Sequence, residues 1–190
     1  FDGQNYVPWY SWWKDSPYFG QTAKYEAKPN NITDFYDKAL SFKNTISVSG
    51  GNENFTARLS LTNLDQKGIM PNTGLKRNYL TLNGNYIFND KLSVETIVNY
   101  SNGKISGDFD DGYSNQTSGS FNQWFGRDLD LKILKQLKDL QTPLGYHANW
   151  NWWGPEYYAD GGFYTKPAFW INPYTWLDKF ENTTTRQSLM

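Results

Sequence analysis

The chain contains no cysteine, a single histidine, and no apolar run that approaches the length of a membrane-spanning helix. The absence of cysteine excludes a disulfide framework and a thiolate metal site. With His147 as the only histidine, a metal site built from several histidines is excluded as well. A spanning helix needs about twenty consecutive apolar residues, so the sequence excludes a helical membrane protein.

Neither sign of charge dominates the composition. The 190 residues include 18 basic and 19 acidic side chains, which leaves a formal net charge of -1. Because the basic residues are scattered along the chain, we expect no nucleic-acid partner. Aromatic residues are abundant, at 18% with 9 Trp and 14 Tyr. Such a composition fits aromatic belts at a membrane interface or a surface that contacts sugars.

Four segments between Phe42 and Tyr100 alternate apolar residues with polar or small ones. This period of two residues predicts β-strands, because successive side chains leave a strand on opposite faces. The polar faces carry Arg58 and Glu95, and five residues break the pattern: Asn44, Gly84, Thr96, Ile87 and Ile97. The predicted apolar faces consist of Phe42, Ile46 and Val48; Phe55, Ala57, Leu59 and Leu61; Leu80, Leu82, Tyr86 and Phe88; and Leu92, Val94, Val98 and Tyr100.

The connections between these segments alternate in length. Residues 50–53 and 89–91 predict tight hairpins, in which Gly and Asn tolerate positive φ. The link 64–76 is longer, and the next strand is predicted to begin only near Asn172. Connections that alternate between short and long are typical of outer-membrane β-barrels. An antiparallel soluble sheet with one wet face shows the same alternation, so the pattern leaves both possibilities open.

The chain divides into four regions on these patterns. Residues 1–40 are predicted to be an irregular, aromatic-rich loop with one helical turn near its end, and residues 41–102 four antiparallel barrel strands. Residues 103–171 form a long loop with a helix near 128–141, and residues 172–190 the next strand, a turn and the start of another. The helix is predicted from the spacing of Leu129, Ile133, Leu134, Leu137 and Leu140, with Asp128 or Asp130 as its N-cap.

The two ends of the chain suggest that these residues are a segment of a longer polypeptide. The chain begins at Phe1 without an initiator methionine or a leader, and Gln187 to Met190 resemble a strand just starting. Five or six strands cannot close a transmembrane barrel, for which about eight are needed.

Several motifs, in this order, resemble the SusC/RagA family of TonB-dependent outer-membrane transporters. They are residues 46–53, 64–69 and 76–79, which resemble the early barrel; residues 119–125 and 127–130, which resemble the long loop and its helix; and residues 172–174, which resemble the next strand. The resemblance implies an all-β antiparallel transmembrane barrel of twenty-two strands. Such a multi-pass barrel lies in the lipid of the outer membrane, and its long loops are extracellular.

The resemblance also implies partners and a substrate class. A SusD-like lipoprotein is expected as an extracellular lid, with glycans or oligopeptides bound between the two proteins. TonB is expected to act through a plug, and neither the plug nor its TonB-contacting segment is among these residues. No cofactor and no enzymatic activity are expected.

The long loop carries the candidate contact residues. Aromatic side chains stack on sugar rings or on partner side chains, although they also simply pack a loop against itself. Asp108, Asp110 and Asp111 lack the ligand order of a calcium loop, and nothing in the sequence fixes the separation of Glu156 and Asp160. The predicted ligand- or partner-contacting residues are Trp124, Trp150, Trp152, Trp153, Tyr157 and Trp170.

Two alternative functions remain open at this point. One is a secreted carbohydrate-binding β-domain, which would use the same aromatic side chains. The other is a barrel that works as an assembly scaffold for surface proteins. Detergent dependence separates the membrane barrel from the secreted domain.

Overall fold

The computed structural model describes residues 2–107, 116–117, 121, 125–142, 144–153, 158–159, 164–165 and 167–190. The chain divides into two compact units, each made from two separate stretches of sequence. The first unit comprises Phe1–Tyr36 and Phe109–Glu181, and the second comprises Asp37–Asp108 and Asn182–Met190. The aromatic N-terminal region and the long loop therefore belong to one unit, and the strands belong to the other.

The described elements are nine strands, two α-helices and two 3-10 turns. The 3-10 turns span Trp9–Trp12 and Thr33–Phe35, and the α-helices are α1 (Leu131–Gln136) and α2 (Pro173–Lys179). The strands are β1 (Asn5–Tyr6), β2 (Ala23–Lys24), β3 (Leu40–Gly51), β4 (Phe55–Lys67), β5 (Gly74–Asn89), β6 (Leu92–Ser106), β7 (Tyr158–Ala159), β8 (Tyr164–Thr165) and β9 (Thr183–Leu189). No helix in the described part of the chain is long and apolar enough to cross a membrane.

The second unit is a five-stranded antiparallel sheet in the order β3-β4-β5-β6-β9. The all-β antiparallel prediction is confirmed, and the four predicted strands lie where the alternation indicates, each extended by several residues. β3 and β9 are the two edges of this sheet within the described residues, so the sheet is open. The register of the β5–β6 pairing shifts once, between Ile87 and Asn89 beside the hairpin that joins these strands, and is regular elsewhere.

The two hairpin turns use asparagine side chains rather than unusual backbone angles. The Asn52 Oδ1 accepts hydrogen bonds from the backbone N–H of Asn54 (3.0 Å) and Phe55 (2.9 Å). In the second turn, the Asn89 Oδ1 accepts from the N–H of Lys91 at 2.9 Å. Both predicted tight hairpins form, and their residues 50–53 and 89–91 adopt no positive φ. The turn is stabilised instead by local side-chain hydrogen bonds.

The first unit has a conventional buried core that includes α1. The Asp130 Oδ1 accepts a hydrogen bond from the N–H of Lys132, so Asp130 is the N-cap, one of the two predicted residues. The buried face carries Leu131, Leu134 and Leu137, exposed by 1%, 0% and 4%. The helix is shorter than predicted, because regular helix ends at Gln136 and only turns follow.

The strand predicted to begin near Asn172 does not form there. The Asn172 Oδ1 instead accepts a hydrogen bond from the N–H of Tyr174, and Pro173 occupies the first position of α2. An asparagine N-cap followed by proline is a strong signal for the start of a helix. The fifth strand of the sheet begins later, at Thr183.

The N-terminal region packs into the core of the first unit. Phe35, exposed by 2%, forms edge-to-face ring contacts with Phe121 at 4.8 Å and Tyr174 at 5.3 Å between centroids. The Tyr6 hydroxyl donates a hydrogen bond to the Asp128 carboxylate at 3.1 Å. Burial, and next the Asp128 charge, raise the pKa of Tyr6 well above its ordinary value, so this hydroxyl stays protonated as a donor.

Candidate functional site

The apolar face of the sheet is uncovered in the described structure. Ile46 and Val48 on β3 are exposed by 71% and 68%, and Phe88 on β5 is exposed by 57%. Among the described residues of the second unit, only Thr73 and Gly103 are buried. Contiguous apolar surface on this scale marks a site of contact with a membrane or another molecule.

The apolar face is continuous across all five strands. Cross-strand pairing aligns its members into rows, because directly paired residues point to the same side of a sheet. Towards the hairpin turns the surface becomes aromatic, with Phe55 paired to Tyr86, and Tyr86 and Phe88 in edge-to-face contact at 4.6 Å. The two widest rows are Ile46, Leu61, Leu80, Tyr100 and Leu189, and Val48, Leu59, Leu82 and Val98.

A row of five side-chain amides crosses this apolar face on the side away from the hairpins. Its members pair directly across the sheet: Asn44, Asn63, Asn78, Asn102 and Gln187. The Asn63 amide donates a hydrogen bond to the Asn78 Oδ1 at 2.8 Å. We call this set the amide row. The next row on the same face carries the charged residues Asp65, Lys76 and Lys104, and on the edge strand β3 it carries Phe42.

The opposite face of the sheet is polar, as the alternation predicts. Hydroxyl groups pair across neighbouring strands, with Thr45 and Thr62 at 2.9 Å and Ser47 and Ser60 at 3.0 Å. Arg58 pairs with Asn83, and Glu95 with Asn85, on this same face. The predicted placement of Arg58 and Glu95 away from the apolar side is therefore confirmed.

In the first unit, Trp153 and Phe169 form an exposed pair of aromatic rings in the long loop. Their ring centroids lie 5.8 Å apart at an interplanar angle of 50°, and the two side chains are exposed by 39% and 57%. Trp152 is half-buried and lies 6.2 Å from Trp12 between ring centroids. An exposed pair of tilted rings offers an apolar surface of the kind that sugar rings or partner side chains cover.

Two of the predicted contact residues belong to the core instead. Trp150 and Trp170 are exposed by only 6% and 7%, and Trp150 packs edge to face on Phe125 at 5.5 Å. The buried Asn151 amide oxygen accepts from the backbone N–H of Phe169 (2.8 Å) and Trp170 (3.2 Å). This loop is therefore built around buried side chains, and Trp153 and Phe169 lie on its surface.

Other predicted positions fall outside the described residues. These are Trp124 and Tyr157, together with Asp108, Asp110, Asp111, Glu156 and Asp160. Across the ranges that are described, no group of three or more metal-ligating side chains occurs. His147 is hydrogen-bonded, with Nδ1 3.0 Å from the Lys138 carbonyl oxygen and Nε2 2.6 Å from the Gln141 amide nitrogen, as expected for a loop histidine.

We expect Trp153→Ala and Trp150→Ala to have opposite effects. Trp153→Ala removes an exposed ring, so it should weaken binding of a glycan or protein partner and change stability little. Trp150→Ala empties a buried site and should lower the free energy of unfolding by about 3 to 5 kcal/mol. Urea denaturation and a binding titration of the two variants measure this contrast. Equal stability loss in both variants would contradict the assignment of Trp153 to the surface.

Sequence reasoning missed two features of these surfaces. Asn44 breaks the alternation of one strand, and only the pairing register shows that it belongs to the amide row. Phe169 lies sixteen residues after Trp153 in the chain, and no local pattern connects the two rings. A search for Asn and Gln residues at equivalent positions of neighbouring strands would find the amide row.

No family model matches this chain, and no curated protein sequence matches it. The function of this chain is therefore inferred from the geometry of its surfaces. Both candidate sites are contact surfaces. Within the described residues, neither surface combines a nucleophile with a base or an oxyanion site.

Proposed function

We propose that this chain is part of the transmembrane β-barrel of a TonB-dependent outer-membrane transporter of the SusC/RagA type. The observation that carries the proposal is the exposed apolar face of the sheet, which the amide row crosses at the end away from the hairpins. A soluble sheet buries such a face against a second layer. Lipid hydrocarbon is the environment in which a single-layer sheet with this face needs no second layer.

The dimensions of the apolar surface support this proposal. On β5 it runs from Leu80 to Phe88, which is nine residues. A transmembrane strand requires about 9 to 11 residues at a tilt of about 45°. Aromatic side chains near the hairpin end, including Tyr86 and Phe88, match the girdle that such strands place at the interface.

The open edges of the sheet also fit this assignment. β3 and β9 both present unpaired strand backbone among the described residues, which is unfavourable in hydrocarbon. Five strands are too few to close a barrel, so the proposal requires further strands that pair with these edges. The long connections leave the sheet at the ends marked by Leu40, Ser106 and Thr183, and in this class of barrel long connections are extracellular.

In this proposal the protein imports glycans or oligopeptides together with a SusD-like lipoprotein lid. The exposed Trp153 and Phe169 rings would contact the substrate or the lid. TonB would supply energy through a plug elsewhere in the protein. The motifs that resemble the SusC/RagA family, in their order along the chain, support this assignment, and the polar face with its hydroxyl pairs would line the lumen.

Solubilisation and co-purification test the proposal. We expect the full-length protein to remain in the membrane pellet after a carbonate wash and to enter solution only with detergent. Affinity purification in mild detergent should recover a surface lipoprotein, and deletion should abolish growth on one glycan or peptide source. A monomeric full-length protein in buffer without detergent would refute the barrel. Recovery of partners with no loss of uptake would favour the assembly scaffold.

A secreted carbohydrate-binding β-domain is the second candidate, favoured by the exposed Trp153 and Phe169 pair. In that case, glycans should quench the tryptophan fluorescence of a protein that stays soluble without detergent. The exposed apolar face of the sheet argues against this candidate, because it would promote aggregation in water.

A further inference from the structure

Beyond the amide row, the apolar side of the sheet carries a group of lysines. Lys76 on β5 and Lys104 on β6 are direct cross-strand partners on this face. Like charges directly opposite each other destabilise a sheet. The arrangement therefore costs stability unless an anion lies between the two ammonium groups.

The neighbouring carboxylates only partly compensate for these charges. Asp65 lies 3.5 Å from the Lys76 Nζ, and Asp37 lies 2.8 Å from the Nζ of Lys67. Among the described residues, no carboxylate lies within ion-pair distance of Lys104. This end of the face thus keeps an excess positive charge, in addition to the unfavourable approach of two lysines.

The lysines surround a shallow depression rather than a flat surface. Lys67, Lys76 and Lys104 line it together with Ser106, Gly74 and the carboxylate of Asp65. Lys67, Gly74 and Ser106 are directly paired across three strands, and glycine leaves a gap between the two side chains. The depression has room for a small anionic group next to Lys104 and the Ser106 hydroxyl, while the ammonium groups of Lys76 and Lys67 each also have a carboxylate partner.

The other end of the same face lacks such an excess of positive charge. The two hairpin turns carry Glu53, Asp90 and Lys91, which together have one net negative charge. On this face, the group of lysines therefore lies only at the end beyond the amide row, away from the hairpin turns. On the proposed orientation, this is the extracellular side of the apolar surface.

We propose that Lys76, Lys104 and Lys67 form a binding site for the phosphate of an anionic lipid headgroup. This inference depends on the proposed function, because it assumes that the apolar face meets lipid. A lipid whose acyl chains lie along the apolar rows would carry its headgroup at the amide row, and its phosphate would then reach the lysines. Basic residues next to a hydrophobic membrane segment attract anionic headgroups in this way.

The test uses the full-length protein, purified in detergent and offered the phosphorylated glycolipid lipid A. We expect Lys76→Gln with Lys104→Gln to reduce lipid A retained by the protein by about tenfold, measured by native mass spectrometry. Lys43→Gln with Arg186→Gln is the matched control. Lys43 and Arg186 lie in one cross-strand row on the polar face, near the same end of the sheet as the lysines. Both double variants remove two positive charges, so the change in net charge is identical.

Each outcome of this experiment supports or overturns the site. The site is supported if only the Lys76/Lys104 variant retains less lipid A and this variant still inserts normally into the membrane. The site is overturned if both double variants lose the same amount of bound lipid A, or if neither loses any. It is also overturned if the unsubstituted protein retains dephosphorylated lipid A as well as it retains lipid A. Displacement of lipid A by millimolar inorganic phosphate would show an ion site only and would also overturn it. A protein that is soluble without detergent refutes the proposed function itself, which is a separate result.

Discussion

Leu82→Arg is expected to reduce sharply the amount of folded protein in the outer membrane. Leu82 lies near the middle of β5, the central strand of the sheet, in a row with Val48, Leu59 and Val98. At the midplane of a bilayer, a charged side chain on the lipid face of a barrel costs about 2 to 4 kcal/mol. Since a folded domain is stabilised by only about 5 to 15 kcal/mol, this loss is large.

The sheet offers a matched control on its other face. Ile97 is an apolar residue on the polar face, exposed by 55%, whereas Leu82 is exposed by 38%. Ile97→Arg introduces the same side chain at a position that should face water, so we expect about normal insertion. Heat-modifiability on electrophoresis of outer-membrane fractions measures the folded fraction of both variants.

The comparison also separates a membrane sheet from a soluble one. In water both positions are partly exposed surface sites, where substitutions usually change stability by about 0.5 kcal/mol or less. Equal insertion of the two variants would therefore contradict a lipid-facing role for the row that contains Leu82. Such a result would not contradict the strand register, because the same β5–β6 pairing places both Leu82 and Ile97.

Asn172→Ala should unfold or strongly destabilise the first unit. The Asn172 side chain is fully buried and caps α2, and its Nδ2 donates hydrogen bonds to the carbonyl oxygens of Leu134 (2.8 Å) and Ala148 (3.3 Å). Loss of an N-cap costs about 1 kcal/mol, and each buried group left without a partner costs about 1 to 3 kcal/mol. We therefore expect a loss of about 3 kcal/mol or more.

Tryptophan fluorescence can follow this unit separately from the sheet. All 9 Trp residues of the chain lie in the first unit, so their emission during urea titration does not report on the five-stranded sheet of the second unit. Asn172→Ser keeps an oxygen for the helix cap and should lose less stability than Asn172→Ala. Asn54→Ala, in an exposed hairpin turn, should have almost no effect on this signal. A normal urea midpoint for Asn172→Ala would show that these buried hydrogen bonds contribute little.

A second contact between α2 and the chain after α1 accompanies Asn172. Lys138 forms an ion pair and hydrogen bond with Asp178, and this hydrogen bond raises the pKa of the Lys138 ammonium group. The Thr175 hydroxyl also donates to the Lys138 carbonyl oxygen at 2.6 Å. The two short helices are thus linked by several polar contacts between residues about forty positions apart. None of these contacts is visible in a local sequence pattern.

The strands were predictable because their signal is local. Successive side chains of a strand point to opposite faces of the sheet. When one face is buried or faces lipid, every second residue of the strand must therefore be apolar. The cap at Asp130 was predictable for the same reason, since the bond that defines it spans two residues. At Asn172 the local sequence Asn-Pro favours the start of a helix, whereas the family resemblance predicts a strand, and the structure has the helix.

The division into two units was not predictable from the order of residues. Residues 1–36 join residues 109–181 through contacts such as the one between Tyr6 and Asp128, which are 122 positions apart. Of the predicted contact residues, Trp150 and Trp170 are buried and Trp153 is exposed, although Trp150 and Trp153 stand three residues apart. Burial depends on what packs against a side chain, and sequence spacing in an irregular loop does not determine this.

By itself, the sequence determined the antiparallel strands, the side of the sheet on which each side chain lies, and the absence of cysteine and multi-histidine chemistry. These follow from the two-residue period of a strand and from composition. The tertiary structure alone decided which asparagines and lysines align into rows, and which tryptophans belong to the core. Those features depend on pairing register and on contacts between distant segments, which no single stretch of the chain encodes.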